Sequence, residues 1–160
     1  MGAGAGGAVL KRWALRLAVA LAALYASVVG AAFVFQRELL FERALPGRVP
    51  GAALPLDPTA PVTLAWVRAA PGMPTVLHCH GNGEQLADLE PLAQLFTARG
   101  LSFAAVEHPG VGLGPGEPGE PALLAAAQAA AEHLRRHGVE GTQLVLSGQS
   151  LGSGVAVALA

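Results

Sequence analysis

A serine framed by two glycines separates a strand-like apolar segment from a helix-like apolar segment near the end of the chain. The motif is Gly-Gln-Ser-Leu-Gly at residues 148–152, with apolar residues 144–146 before it and an Ala- and Val-rich segment after it. Glycines in such a setting are typical of a sharp turn, because they carry no Cβ that would clash there. The pattern predicts that Ser150 projects from a strand-to-helix turn supported by Gly148 and Gly152. A serine in an ordinary tight turn before a helix is the alternative interpretation.

The residues before this turn alternate between strand-like and helix-like patterns. Four segments have the short apolar or alternating pattern of strands: residues 62–68, 75–79, 101–106 and 143–146. Two segments have helical spacing: 84–99, which Pro91 divides, and 121–137, with Leu124, Ala127, Ala131 and Leu134 on the predicted inward face. This alternation predicts an α/β fold with a parallel sheet covered by helices on both faces.

An N-terminal segment is long and apolar enough to cross a membrane. Residues 17–35 carry no charge, close to the ~20 residues that a membrane-spanning helix needs, and Lys11, Arg12 and Arg16 precede them. The basic flank predicts a single-pass anchor with a cytoplasmic N-terminus and the rest of the chain on the translocated side. Two alternatives stay open: a signal peptide cleaved near Ala31, and a buried core helix.

The chain divides by composition into three parts. Residues 1–42 form the basic flank and the apolar segment, residues 43–61 a proline-rich linker, and residues 62–160 a globular domain.

Charge and cysteine content exclude several kinds of function. From Ala44 onward the chain has five Arg and no Lys against nine Asp plus Glu, a formal charge of −4. This charge argues against nucleic acid as a partner, since binding to phosphates requires positive charge. The single cysteine, Cys79, excludes an internal disulfide and a multi-cysteine metal site. His78 and His80 lie two residues apart with no third ligand evident, so no metal site is predicted.

The sequence His-Gly-Asn-Gly follows the predicted strand 75–79. Because parallel strands end at the same edge of a sheet, this loop is expected near the turn at Ser150. The backbone N–H groups of Asn82 and Leu151 are the candidate donors to an oxyanion that forms when Ser150 attacks a carbonyl. We expect His80 to pack beneath the site. We expect His108, in the loop after strand 101–106, to be solvated, with contact to substrate as the alternative.

Three motifs together resemble those of the Bem46-like α/β-hydrolases, which are related to the serine aminopeptidase S33-like and ABHD17-like depalmitoylase groups. They are residues 80–82, 107–118 and 148–152, and residues 35–41 are similar to the basic-aromatic segment that follows the anchor in that family. The resemblance departs at residues 107–112, where the family commonly has Asp-Tyr-Arg-Gly-Tyr-Gly and this chain has Glu-His-Pro-Gly-Val-Gly.

The resemblance implies an α/β-hydrolase fold and a membrane-anchored serine hydrolase. Ser150 would attack an ester, thioester or amide of a small-molecule or lipid-like acyl substrate, and no metal or organic cofactor is needed. In this fold the catalytic residues follow the chain order Ser, Asp or Glu, then His. Only ten residues follow Ser150, and none of them can act as acid or base. We therefore expect a C-terminally incomplete domain that is inactive by itself, with the acid and the histidine beyond residue 160. The alternative function is a non-catalytic, membrane-tethered binding module.

Overall fold

The computed structural model describes residues 3–41 and 62–160, which belong to two compact units, Met1–Leu40 and Phe41–Ala160. The predicted linker at residues 43–61 lies outside the described residues.

The first unit is helical. Helix α1 spans Ala3–Val34 and the short helix α2 spans Gln36–Leu40. The Ala- and Leu-rich sequence favours an α-helix, and an 18-residue window of Gly7–Val34 has a mean hydropathy of 2.3 with none of that window buried. Its 28 residues extend over about 42 Å, more than the ~30 Å of a hydrocarbon core. A core helix would be mostly buried, so this exposure favours a membrane span or a signal sequence.

The second unit is a four-stranded sheet with helices on both faces. Its strands are β1 (Leu64–Val67), β2 (Thr75–Cys79), β3 (Ser102–Val106) and β4 (Leu144–Gly148), in the spatial order β1-β3-β2-β4. Its helices are α3 (Glu90–Thr97), α4 (Glu120–Arg136) and α5 (Leu151–Leu159), and short 3-10 turns cover Leu86–Leu89 and Gly141–Gln143.

Strands β3, β2 and β4 form the predicted parallel sheet, and β1 departs from it. Strand β1 pairs with β3 in the antiparallel direction. Only residues 68–74 separate β1 from β2, whereas a parallel crossover needs about a dozen residues. The chain must therefore reverse between these two strands.

Side chains of the strands alternate between two buried clusters. One cluster lies between the sheet and helices α4 and α5, and its strand residues are Leu64, Leu77, Cys79, Ala104 and Val106. The other lies on the face covered by α3, and its strand residues are Ala65, Val76, Phe103 and Ala105. Both faces of β2 and β3 are buried, which explains why their sequences do not alternate between apolar and exposed polar residues.

The helices begin and end largely where the sequence predicts. A 3-10 turn precedes α3, and Pro91 lies in the first turn of α3, where its missing N–H costs nothing. Helix α4 ends before Gly138, which has a φ of 91°. The inward face of α4 is corrected at one position, because Leu123 is buried and Leu124 is only half-buried.

The strand register brings three loops to one edge of the sheet. Cys79 is level with Val106 of β3 and with Gly148 of β4. The loops that follow these residues, 80–85, 107–118 and 149–151, therefore start side by side. We call this the C-terminal edge, and we call the opposite edge, formed by residues 66–74 and 137–143, the N-terminal edge.

Candidate active site

Ser150 occupies the turn between β4 and α5. Its φ of 47° and ψ of −115° make it the one non-glycine residue with positive φ in the described part of the chain. Such a conformation costs roughly 1–3 kcal/mol, so the surrounding contacts must hold it in place. Gln149 N donates to Cys79 O at 3.1 Å, Gly152 N to Gln149 O at 2.8 Å, and Ser153 N to Ser150 O at 3.0 Å. Ser150 itself is exposed at the start of the helix.

The two glycines of the motif lie where the turn leaves no room for a side chain. A Cβ added to Gly148 would overlap the backbone of Gly152. A Cβ added to Gly152 would overlap the carbonyl oxygens of Cys79 and His80. Each glycine therefore lets α5 approach β4 and the end of β2 closely, which gives the motif a steric basis.

The loop after β2 lies directly against the Ser150 turn. A Cβ built on Gly81 would lie 3.6 Å from Gln149 Cγ. Glu84 connects the two loops, because Gly81 N donates to Glu84 Oε2 at 2.6 Å and Gln149 Nε2 donates to Glu84 Oε1 at 3.1 Å. Sequence reasoning missed this bridge, since nothing in the spacing of Glu84 and Gln149 indicates that they meet.

Asn82 and Leu151 lie on the two loops that Glu84 joins. Asn82 is exposed in the loop after β2. Leu151 is the first residue of α5, where a backbone N–H has no acceptor within the helix. The N–H of Gly81 is bound to Glu84. The structure thus brings the loop of Asn82 into contact with the turn that carries Ser150 and Leu151.

A buried group of ionisable side chains lies beneath the loop after β2. His80, Glu107 and His108 are all at most 2% exposed. His80 Nε2 lies 2.9 Å from Glu107 Oε1, and His80 Nδ1 donates to Gly81 O at 2.9 Å. His108 Nε2 donates to His80 O at 2.8 Å, and the two imidazole rings are 3.9 Å apart. His80 packs beneath the site as predicted, but the prediction of a solvated His108 is wrong.

His108 is buried because the loop 107–118 folds tightly over the end of β3. Gly110 N donates to Gly114 O at 3.1 Å, and Gly114 N donates to Val111 O at 2.7 Å. A Cβ on Gly112 would lie 2.6 Å from Glu107 Oε2, and a Cβ on Gly114 would overlap the His108 carbonyl. The run of glycines therefore lets the backbone cover the two side chains.

Burial sets the protonation of the neighbouring groups. Desolvation, helped by the nearby His80, lowers the pKa of His108 to about 4, against the opposing hydrogen bond to the His80 carbonyl. Desolvation also lowers the pKa of His78, whose Nδ1 lies 3.1 Å from Ser147 Oγ, while Glu84 acts in the opposite direction. Burial raises the pKa of the Cys79 thiol to about 11, so this thiol stays protonated at neutral pH. Within residues 3–41 and 62–160, no group of three or more His, Cys, Asp or Glu side chains could hold a metal ion.

The described histidines contact groups other than the Ser150 hydroxyl. Both ring nitrogens of His80 contact Gly81 or Glu107, and His108 Nε2 contacts the His80 carbonyl. His133 and His137 lie in the last turns of α4, which ends at the N-terminal edge. None of these imidazoles is placed as the proton acceptor of Ser150 by a hydrogen bond among the described residues.

A strained serine between a parallel strand and a helix, at the sheet edge where a second loop meets it, places the second unit in the α/β-hydrolase class. A family model described as "Serine aminopeptidase, S33" matches residues 72–160. This match covers more than half of the chain, which therefore belongs to this family of hydrolases.

Individual relatives agree with the family. The chain is 34% identical over 88 residues to Protein bem46 of Schizosaccharomyces pombe, covering 54% of this chain and 29% of that protein. It is 39% identical over 88 residues to an uncharacterized protein of Mycobacterium tuberculosis, covering 54% of this chain and 31% of that protein. The chain thus matches less than a third of the length of either relative.

Solved structures show the same fold. An alpha-beta hydrolase from Vibrio vulnificus superposes with a TM-score of 0.55 at 23% identity, over 62% of this chain and 35% of that one. A hormone-sensitive lipase from a metagenome library superposes with a TM-score of 0.56 at 20% identity, over 82% of this chain and 42% of that one. At these identities the likeness is evidence for the α/β-hydrolase fold and not for a substrate.

Proposed function

We propose that the protein is a serine hydrolase that cleaves an ester, thioester or amide acyl bond, with Ser150 as the nucleophile. The observation that carries this proposal is the exposed Ser150 in its strained turn, packed against the loop after β2. Strain of this kind persists where surrounding contacts over-determine it, and such residues cluster at functional sites.

The proposed reaction has two acyl-transfer steps. Ser150 Oγ attacks the substrate carbonyl while a general base takes its proton, and the tetrahedral intermediate expels the alcohol, thiol or amine, which receives that proton. Water then attacks the acyl-serine and releases the carboxylic acid and the free serine. The base is a group other than His80 or His108, because both imidazoles are buried and bound to the loop backbone.

The backbone around Ser150 supports stabilisation of the oxyanion. Leu151 N–H belongs to the first turn of α5, where the helix dipole also favours negative charge. The N–H of Asn82 is the corresponding donor from the facing loop, and Glu84 holds that loop against the turn. An oxyanion donor is typically worth about 10²–10³ in kcat, so these two groups are central to the proposal.

We further propose that α1 is a retained, single-pass membrane anchor with its N-terminus in the cytoplasm and the sheet unit on the translocated side. The length and exposure of Gly7–Val34 support a membrane span, and the basic flank supports the orientation. Release of the protein by alkaline carbonate, or a mature N-terminus near Ala32, would contradict retention. Protease protection of the sheet unit in sealed vesicles of known orientation tests the orientation.

A fluorophosphonate probe on the intact gene product, solubilised in detergent, tests the catalytic role. We expect labelling of the wild type, loss of labelling in Ser150→Ala, and retained labelling in Ser153→Ala, which removes the nearest exposed serine of α5. A folded wild type that does not label at Ser150 would favour the non-catalytic, membrane-tethered binding module. A panel of acyl esters, thioesters and aminoacyl amides then identifies the bond that is cleaved.

A further inference from the structure

We propose that His80 and Glu107 are positioning residues of the oxyanion site, which act through the peptide group between Gly81 and Asn82. The inference rests on the proposed function of Ser150 and of the Asn82 N–H. It assigns a role to a buried carboxylate and imidazole that the reaction itself does not use.

The hydrogen bond from His80 determines the direction of the Asn82 N–H. His80 Nδ1 donates to Gly81 O at 2.9 Å. This carbonyl belongs to the same planar peptide group as the Asn82 N–H, and none of the described peptide bonds is cis. In a trans peptide the C=O and N–H point in opposite directions. Because His80 holds the carbonyl beneath the loop, the Asn82 N–H faces the other way.

Two neighbours determine the form of the imidazole. The Gly81 carbonyl can only accept, so His80 Nδ1 must carry a hydrogen. His80 Nε2 accepts from His108 N at 3.2 Å, so this nitrogen presents its lone pair, and Glu107 Oε1 lies 2.9 Å from it. Glu107 Oε2 accepts from Leu86 N at 3.3 Å, which fixes the carboxyl group in turn.

The imidazole also polarises the peptide. His80 is fully buried, accepts from His108 N and donates to Gly81 O, and hydrogen bonds in such a low dielectric strengthen one another along a chain. Electron density withdrawn from the Gly81 carbonyl makes the Asn82 N–H a stronger donor to the oxyanion.

The preceding peptide group is held at both of its ends. His80 O accepts from His108 Nε2 at 2.8 Å, and Gly81 N donates to Glu84 Oε2 at 2.6 Å. The peptide between Gly81 and Asn82 therefore extends from a fixed neighbour. Its carbonyl accepts from His80 Nδ1 at 2.9 Å and from Glu84 N at 3.4 Å, so His80 makes the shorter of the two bonds that orient it.

Two substitutions of His80 separate positioning from packing. In His80→Asn the side-chain NH₂ can occupy the place of Nδ1 and bind Gly81 O, whereas in His80→Gln it can occupy the place of Nε2 and reach Glu107. Both variants remove a similar ring volume. In hydrolysis of a p-nitrophenyl acyl ester by the intact gene product, we expect His80→Gln to lower kcat about 100-fold with KM changed less than about threefold, the size of a lost oxyanion donor. We expect His80→Asn to retain kcat within about tenfold, because the peptide stays oriented.

The isosteric Glu107→Gln variant tests the other half of the pair. We expect it to lower kcat by about 5- to 10-fold, because an amide replaces the carboxyl group that faces His80 Nε2 while the loop keeps its shape. His133→Gln and His133→Asn are matched controls, since His133 is also buried but lies in α4 near the N-terminal edge. We expect both to keep kcat within about twofold.

Equal losses in His80→Gln and His80→Asn, or an unchanged kcat in both, would overturn the positioning role. If turnover does not depend on Ser150, the proposed function fails first, so the Ser150→Ala variant distinguishes the two failures. Should the His80 variants not fold, long-range ¹H–¹⁵N spectra of the wild type decide the matter. A protonated His80 Nδ1 at neutral pH supports the assignment, and an unprotonated Nδ1 excludes it.

Discussion

Each of the two edges of the sheet has a pair of histidines whose rings lie close together, but only one pair is bonded to a loop that faces Ser150. At the C-terminal edge, His80 and His108 have ring centroids 3.9 Å apart and donate to the carbonyls of Gly81 and His80. Near the N-terminal edge, His133 and His137 have ring centroids 4.1 Å apart, and His137 Nδ1 donates to the His133 carbonyl within the end of α4. A pair of neighbouring histidines by itself therefore does not mark a site, and the acceptors of the hydrogen bonds distinguish the two pairs.

The surroundings of the two histidine pairs also differ. Trp66 lies edge-on to His133 and His137, and the Arg68 guanidinium lies 4.1 Å from the Trp66 ring centroid and donates to His137 O. A cavity of about 260 Å³ opens at this edge. Its lining contains neither the strained Ser150 nor a carboxylate. This cavity thus lies away from Ser150, and we expect it to serve the packing of the helix end.

The largest expected difference between the two edges is their tolerance of an added methyl group. Gly152→Ala places a Cβ on the carbonyl oxygens of Cys79 and His80, so we expect a loss of more than about 3 kcal/mol in unfolding free energy and no labelling of Ser150. Gly141→Ala at the N-terminal edge meets no atom within 4 Å and should change stability by less than about 0.5 kcal/mol. Urea unfolding followed by circular dichroism measures both. A stable, labelled Gly152→Ala protein would show that the turn can move.

Acid should weaken the C-terminal edge through His108. Its pKa is about 4 in the folded chain, below the ordinary 6.5, so the unfolded chain binds a proton in this range that the folded chain does not. The contribution is fully present above pH 6.5 and is lost as the pH falls toward 4, by up to about 3 kcal/mol at 1.36 kcal/mol per pH unit. His108→Gln can keep the bond to His80 O without titrating, so its unfolding free energy should fall less between pH 6.5 and 4. Identical pH slopes would contradict this origin.

The Glu84 bridge should affect the rate more than the stability. Glu84→Ala releases Gly81 N–H and Gln149 Nε2, so the loop of Asn82 is no longer held to the turn. We expect labelling of Ser150 to slow about tenfold, equivalent to about 1.4 kcal/mol in the barrier. Glu84→Gln can still accept from Gly81 and should label within about threefold of the wild type. Unchanged labelling of Glu84→Ala would show that the two loops hold together without the bridge.

The smallest effect is expected at the N-terminal edge. Arg68→Ala removes the contact with Trp66 and the 2.8 Å bond to His137 O, which should cost about 1 kcal/mol in unfolding free energy. Labelling of Ser150 should stay within about twofold, and Arg68→Lys should recover part of the stability because it restores a cation over the ring. A fall in labelling beyond that range would mean that the two edges are coupled.

Much of the second unit could be predicted from local patterns. The apolar run at Thr75–Cys79 forms β2 with the predicted bounds, and Pro91 divides the helical segment where expected. The motif around Ser150 lies between β4 and α5. These features depend on backbone sterics and on the side-chain periods of 2.0 residues in strands and 3.6 residues in helices, which act over short stretches of chain.

The burial of His108 could not be predicted in this way. A histidine in a glycine- and proline-rich loop is usually solvated, and only the fold of residues 107–118 over β3 covers it. The burial of Leu123 in place of Leu124 could not be predicted either. Both leucines fit the helical spacing, and the position of the sheet decides which of them is buried.

The sequence by itself determined the strand-turn-helix around Ser150, the order of strands and helices along the chain, and an apolar N-terminal helix. Tertiary structure alone decided the spatial order β1-β3-β2-β4, the reversed direction of β1 and the meeting of Glu84 with Gln149. It also decided the contact of His80 with Glu107. The physical reason is range: side-chain periodicity and glycine sterics are properties of neighbouring residues, whereas a hydrogen bond between distant loops exists only when strand register brings their ends level.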